Sequence, residues 1–171
     1  MGGKAFSGLG DNAFPRIPTA LYNILKEKLT AQLKTLFELV TVPAEAPGKL
    51  DHGDIDFLVC GPLTGMGASP LHVKNVLGAP YANIIEGNDR TSNYALPLID
   101  DEGCDARVER FYQVDVHICR DREEFERMKF FTAYGDLGMI LGLLLRPYDL
   151  ILGSKGLRVR WIHFPLCDAF F

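Results

Sequence analysis

A chain of 171 residues, 47% hydrophobic and 23% charged, has enough material for one globular domain with a proper core. Its formal net charge of −4 argues against a large electrostatic footprint for duplex nucleic acid, though not against a local basic patch. The cysteines, Cys60, Cys104, Cys119 and Cys167, include no C-x-x-C pair, which argues against a zinc site and for a reducing, intracellular setting without disulfides.

Residues 1–18 are a glycine-rich lead within a single domain spanning 1–171. Paired glycines let backbone N–H groups approach a phosphate closely, so Gly2, Gly3 and the adjacent Lys4 are candidate phosphate contacts. Gly3 to Gly8 has glycine-loop spacing, but Leu9 stands where a P-loop needs lysine. No basic-then-apolar leader is visible. Leucines at 21, 25, 29, 33 and 36 predict an amphipathic helix over 19–36. Residues 36–42 turn β-rich until Pro43, and a turn over 44–53 follows. Ser69-Pro70 reads as an N-cap and first-turn proline for a short helix through Leu77.

Residues 81–85 and 94–99 read as strands joined by a turn cluster over 86–93. Arg90, in that polar loop, is placed to cover a nucleotide. Residues 107–119 form a longer strand. Asp121 caps a helix whose apolar face is Phe125, Met128 and Phe131. Asp136 caps the next, where Leu137, Ile140, Leu141, Leu144 and Leu145 are assigned to the core and Pro147 ends the run. That apolar stretch is too short to span a bilayer. Residues 151–162 read as a terminal hairpin, and Phe170-Phe171 as a tail tucked against the core or continued beyond. The pattern is α/β (α+β), a mixed sheet flanked by helices.

The chemistry concentrates in Gly53-Asp54-Ile55-Asp56, where a turn runs into an apolar strand. Alternation puts Asp54 and Asp56 on one face. Two carboxylates there are costly unless something positive meets them, and hard oxygen ligands suit Mg²⁺ or Mn²⁺. Asp115 sits alone in the middle of a second strand. If the strands are neighbours, three carboxylates form a two-metal site for phosphoryl or nucleotidyl transfer. His117 shares Asp115's face and is expected to pair with a neighbouring carboxylate. Lys49 is a candidate phosphate contact, and His52 a turn residue.

The run Gly48-Lys49 followed by Gly53-Asp54-Ile55-Asp56 resembles the acidic motif of family X DNA polymerases and of the wider polymerase β-type nucleotidyltransferase superfamily. Val114-Asp115-Val116, Phe130-Phe131-Thr132, the helix from Asp136 and Gly156-Leu157 follow in the family's order, and the resemblance covers 19–160. It implies a palm-type fold in which Asp54, Asp56 and Asp115 hold two Mg²⁺ ions, with Phe130 and Phe131 under the incoming sugar. The substrate implied is a nucleoside triphosphate, whose nucleotidyl group goes to a small molecule, RNA or protein. DNA is a weaker acceptor candidate, because no helix-hairpin-helix region is present. The chain departs from the family at Pro43-Ala44, which replaces a triphosphate-cradling Gly-Ser, and at Ala46-Pro47, which replaces arginines. A non-catalytic nucleotide-binding or interaction module of the same fold is the alternative, and Gly2-Gly3 folding back over the acids would replace the missing pair.

Overall fold

The structure, a computed structural model, describes residues 4–10, 12–63, 69–85, 87, 90–98, 110–135, 137–153 and 155–160. A 3-10 turn at Lys4–Leu9 leads to β1 (Ile17–Pro18), α1 (Thr19–Leu33), β2 (Phe37–Thr41), β3 (Asp51–His52) and β4 (Asp54–Pro62). Next come α2 (Pro70–Leu77), β5 (Tyr81–Ile84), β6 (Thr91–Pro97) and β7 (Phe111–Ile118). The chain then forms α3 (Arg122–Phe131), α4 (Leu137–Leu145), a 3-10 turn at Arg146–Tyr148, β8 (Leu150–Gly153) and β9 (Gly156–Val159). The fold is mixed α/β, with a five-stranded sheet in the order β2-β4-β7-β6-β5. Only β4 and β7 pair in parallel within it.

The sheet has two unlike faces. On the back, Ile55, Phe57 and Val59 of β4 join Val114 and Val116 of β7 and Tyr94 of β6. The helices α1 and α2 cover them with Tyr22, Leu29, Leu33, Val73 and Leu77. The helical spacing of the α1 leucines delivers Leu29 and Leu33 to full burial, each contributing about 1.5–3 kcal/mol. Among the described residues, the apolar clusters on the front face lie at its two ends. Phe125 of α3 packs on Leu58, Cys60 and Cys119. At the other end Phe6 and Ala13 of the N-terminal segment pack on Ala95 and Phe111. Between these covers the sheet carries polar side chains.

Local chemistry sets the boundaries. The Ser69 hydroxyl accepts from the His72 N–H at the start of α2, and Gly78 ends that helix at φ 66°, a conformation that favours glycine. Asp121 accepts from the Glu124 N–H at 2.7 Å to cap α3. The Glu124 side chain does not return to the cap. Arg90 Nη1 donates to its two oxygens at 2.9 and 2.8 Å, and the Arg120 backbone N–H donates at 2.7 Å. This buried carboxylate ties the start of β6 to the start of α3. Burial acts against its charge, yet the Arg120 and Arg90 donors outweigh that and hold it at about 2.

Two expectations need correction. The turn predicted over 86–93 ends earlier, because Thr91, Ser92 and Asn93 already pair with β7 in β6. The α4 stripe assigned to the core is not buried: Ile140 and Leu144 are exposed, Leu137, Leu141 and Leu145 are half-buried, Met139 and Leu143 also face outward, and only Gly138 of the helix is buried. Helical periodicity reports that a helix has an apolar face, not that something in the described chain covers it. The expected cap Asp136 and the 107–109 start of the long strand lie outside the described residues. Among the described residues no helix is long and apolar enough to cross a membrane, and Cys60 and Cys119 are free and buried.

Leu29→Ala removes a fully buried anchor of α1 and is expected to cost about 2–5 kcal/mol, read as a lower urea midpoint with unchanged slope. Glu124 titrates near 2 when folded against about 4.5 unfolded, so the stability it adds above pH 4.5 is lost as pH falls toward 2. Glu124→Gln is expected to begin less stable at neutral pH and to lack that part of the acid decline in a pH series of urea melts.

Candidate functional site

In the parallel register Asp56 of β4 is the partner of Asp115 of β7, and Asp54 the partner of Gln113. Partners on adjacent strands share a face, so all three acids project from the front. From β6, Asn93 stands opposite Asp115 and Thr91 opposite His117. This row occupies the gap between the two covers. It opens into a cleft of about 490 Å³ lined by Asp56, Asp115, Thr91, His117, Phe131 and Met139 among others. Asp54 belongs to the row but not to that lining. A hollow of about 540 Å³ between α1 and β2, lined by Lys26, Lys34 and Val40, contains none of the three acids. The smaller cleft is the one with chemistry in it.

Solvent reaches the Asp56 side chain, yet its carboxyl is crowded by protein atoms and then by the charges of Asp54, Asp115 and Glu45. Together these push it up to about 7. Burial also raises Asp115, while hydrogen bonds from Asn93 (2.7 Å) and Gln113 (2.8 and 3.0 Å) pull it back. The three acids thus differ: Asp115 is oriented by two amides, and Asp56 faces the open cleft. His117 does not pair with a carboxylate, which corrects the expectation. Its Nδ1 lies 2.9 Å from the Thr91 hydroxyl, its Nε2 is buried without a partner, and burial with Arg90 lowers its pKa.

The approach to β4 is pinned from behind. Thr19 at the start of α1 donates to the Lys49 carbonyl at 2.8 Å, and its N–H to the Leu50 carbonyl at 3.1 Å. Arg16 and Asp51 pair at 2.6 Å beside the β1–β3 ladder. Glu45 is the hub of this loop: Tyr22 donates to it at 2.9 Å and Lys49 at 2.7 Å. Burial opposes the Glu45 charge, but those bonds outweigh it and lower its pKa. His52 is no simple turn residue. It lies in β3, buried, with its ring stacked 3.6 Å from that of Tyr22.

The remaining sequence candidates divide. Phe131 lines the acid cleft and, with Phe130, a second hollow beside Leu152, Gly153 and Gly156; Phe130 does not line the acid cleft. Lys49 is engaged by Glu45, and Arg90 by Glu124. Gly53 is buried at the β3–β4 junction. Gly2 and Gly3 lie outside the described residues, and of Lys4 only the backbone turn is described. That turn leads into the segment whose Phe6 packs on the front face. Pro43, Thr132 and Gly135 also line the cleft, and the Tyr134 N–H donates to the Ala44 carbonyl at 2.6 Å across its rim. Gln113 was legible from the two-residue alternation about Asp115. Asn93 and Thr91 were not, because their place depends on the β6–β7 register.

The donor set is of the right kind for a hard divalent ion. Among the described residues, however, no three His, Cys, Asp or Glu side chains stand together in a geometry that could hold a metal ion. The amide bonds of Asp115 are what its carboxylate would have to share with an ion. No protein-family model matches this sequence, and no curated relative does.

Folded Asp56 titrates near 7 against about 3.8 unfolded, so its effect on stability turns unfavourable as pH rises from about 4 to 7. Asp56→Asn is expected to melt above the wild type at pH 8, with the gap closing toward pH 4. A gap that is constant across that range removes the crowding argument.

Proposed function

We propose that the chain is a Mg²⁺- or Mn²⁺-dependent nucleotidyltransferase of the polymerase β type, moving a nucleoside monophosphate from its triphosphate to a hydroxyl acceptor. The observation that carries the reading is the acid row: Asp54, Asp56 and Asp115, from two adjacent parallel strands, share the uncovered part of one sheet face. These three would hold the ions. A divalent ion bound there would supply positive charge to the transferring phosphoryl group and a lowered pKa to the attacking hydroxyl. Asn93 and Gln113 donate to Asp115 and aim its carboxylate, opposing the burial that raises its pKa. Phe131 and Met139 form an apolar wall that limits water in the cleft.

A second reading, a non-catalytic module that keeps the fold and the acids, draws on a specific observation. No lysine or arginine is among the described residues lining the cleft, and Pro43 has no N–H to offer a phosphate there. Lys49 and Arg90, the cations that the sequence offered for phosphate and nucleotide, are held by glutamates.

The two readings separate in a thermal melt with Mg²⁺ or Mn²⁺ and each nucleoside triphosphate. A metal-dependent rise in Tm is expected, enlarged by one nucleotide and absent from Asp54→Asn/Asp56→Asn. Ligand at a hundred times Kd adds about 2.7 kcal/mol. Pyrophosphate released together with a labelled acceptor supports transfer. Nucleotide binding without turnover supports the second reading as a nucleotide-binding module, and no shift with metal or nucleotide defeats the first reading and leaves the second as an interaction module.

A further inference from the structure

We propose that the outer edge of β2, with the hollow between it and α1, receives an extended acidic peptide as an added strand. Among the described residues β2 ends the sheet, with β4 as its neighbour on the inner side. None of their backbone groups over 37–41 makes a hydrogen bond outside that ladder. Such an edge is satisfied by another extended chain, whose main chain supplies the bonds and whose alternate side chains supply specificity.

The hollow is shaped for those alternate side chains. Thr30, Ala31 and Lys34 wall it on the helix side, and Val40 and Val42 on the strand side. Both valines pack on the core yet are only half-buried, so the hollow of about 540 Å³ has an apolar floor. Its helix wall runs from Lys26 to Lys34, a rise of about 12 Å. Side chains on one face of a strand recur about every 6.7 Å, so two or three of them fit along it.

Charge selects the occupant. Lys26 and Glu27 line the hollow side by side and offset each other, and Glu45 is engaged by Tyr22 and Lys49. Lys34 is exposed, with no ion pair or side-chain hydrogen bond among the described residues. An aliphatic side chain over Val40 and Val42, with a carboxylate farther along the same side, complements both. A second copy pairing through β2 brings its own α1 to the same side of the joined sheet. Lys26, Lys28 and Lys34 against Glu27 make that a meeting of two cationic helices. The groove also adjoins the acid cleft, because Pro43 lines both. Docking itself does not depend on nucleotidyl transfer.

The probes are two fluorescein-labelled heptapeptides with valine at the third and fifth positions, glutamate at the first or the seventh, and threonine elsewhere. Fluorescence anisotropy is expected to show saturable binding of at least one. Ala31→Phe, at an exposed helix position, fills the hollow and is expected to weaken binding by about tenfold or more. Lys34→Glu should weaken it by about fivefold, and should favour the peptide in which lysine replaces glutamate. On binding, amide hydrogen exchange should slow over 37–41 and stay unchanged over 81–84. No saturable binding of either peptide at about 1 mM overturns the proposal. So does binding that the folded variants leave intact, or binding without slower exchange over 37–41. A free monomer with every amide of 37–41 already protected assigns the edge to another part of this chain. Self-association that Ala31→Phe abolishes assigns it to a second copy, and either result overturns the proposal.

Discussion

The parallel pairing of β4 with β7 is the constraint on which the rest of the sheet depends. It brings together strands 59 positions apart, since Ile55 pairs with Val114. Side chains alternate, so the same register that sends Ile55, Phe57, Val114 and Val116 into the core sends Asp54, Asp56 and Asp115 out of it. A slip of β4 by one residue against β7 would turn Asp54 and Asp56 into the core and Ile55, Phe57 and Val59 out of it. Hydrophobic burial thus fixes the placement of the acids. The acids are affordable because the front face has a gap, with α3 covering one end and the N-terminal segment the other.

The loop before β4 gives the site its particular character. It contains Pro43-Ala44 and Ala46-Pro47 where the resemblance expects a phosphate cradle. In their midst Glu45 draws Lys49 and Tyr22 onto itself. The loop thus has a negative hub. This rigidifies the approach to the acids and adds to the field that raises Asp56. The front face is therefore electronegative from its own side chains, and a cation is the natural complement to it.

Much of this was legible in the sequence, for reasons that can be named. The helix over 19–36, the capped α2 and α3, and the β4 and β7 strands follow from periodicity and from Ser69, Pro70 and Asp121. Alternation alone put Asp54 and Asp56 on one face. What was not legible depended on partners distant in the chain. Asn93 and Thr91 looked like turn residues because small polar side chains serve both in turns and opposite a polar strand. The pairing of His117 with Thr91 rather than a carboxylate, and of His52 with Tyr22, needed the register. The α4 leucines looked like core because an apolar stripe reads the same whether or not a neighbour covers it.

Asp54 and Asp56 have a consequence for how the chain avoids its own misassembly. The sequence neighbour β2 covers one edge of β4, but the other edge waits for β7, far along the chain. Between those events a strand rich in Ile, Phe, Leu and Val presents unpaired backbone groups to any other extended segment. Charges are the usual protection of such an edge, because two like strands approaching each other would bring their carboxylates together. The pair of acids at the head of β4 thus acts as a gatekeeper during synthesis and refolding, before any ligand is present.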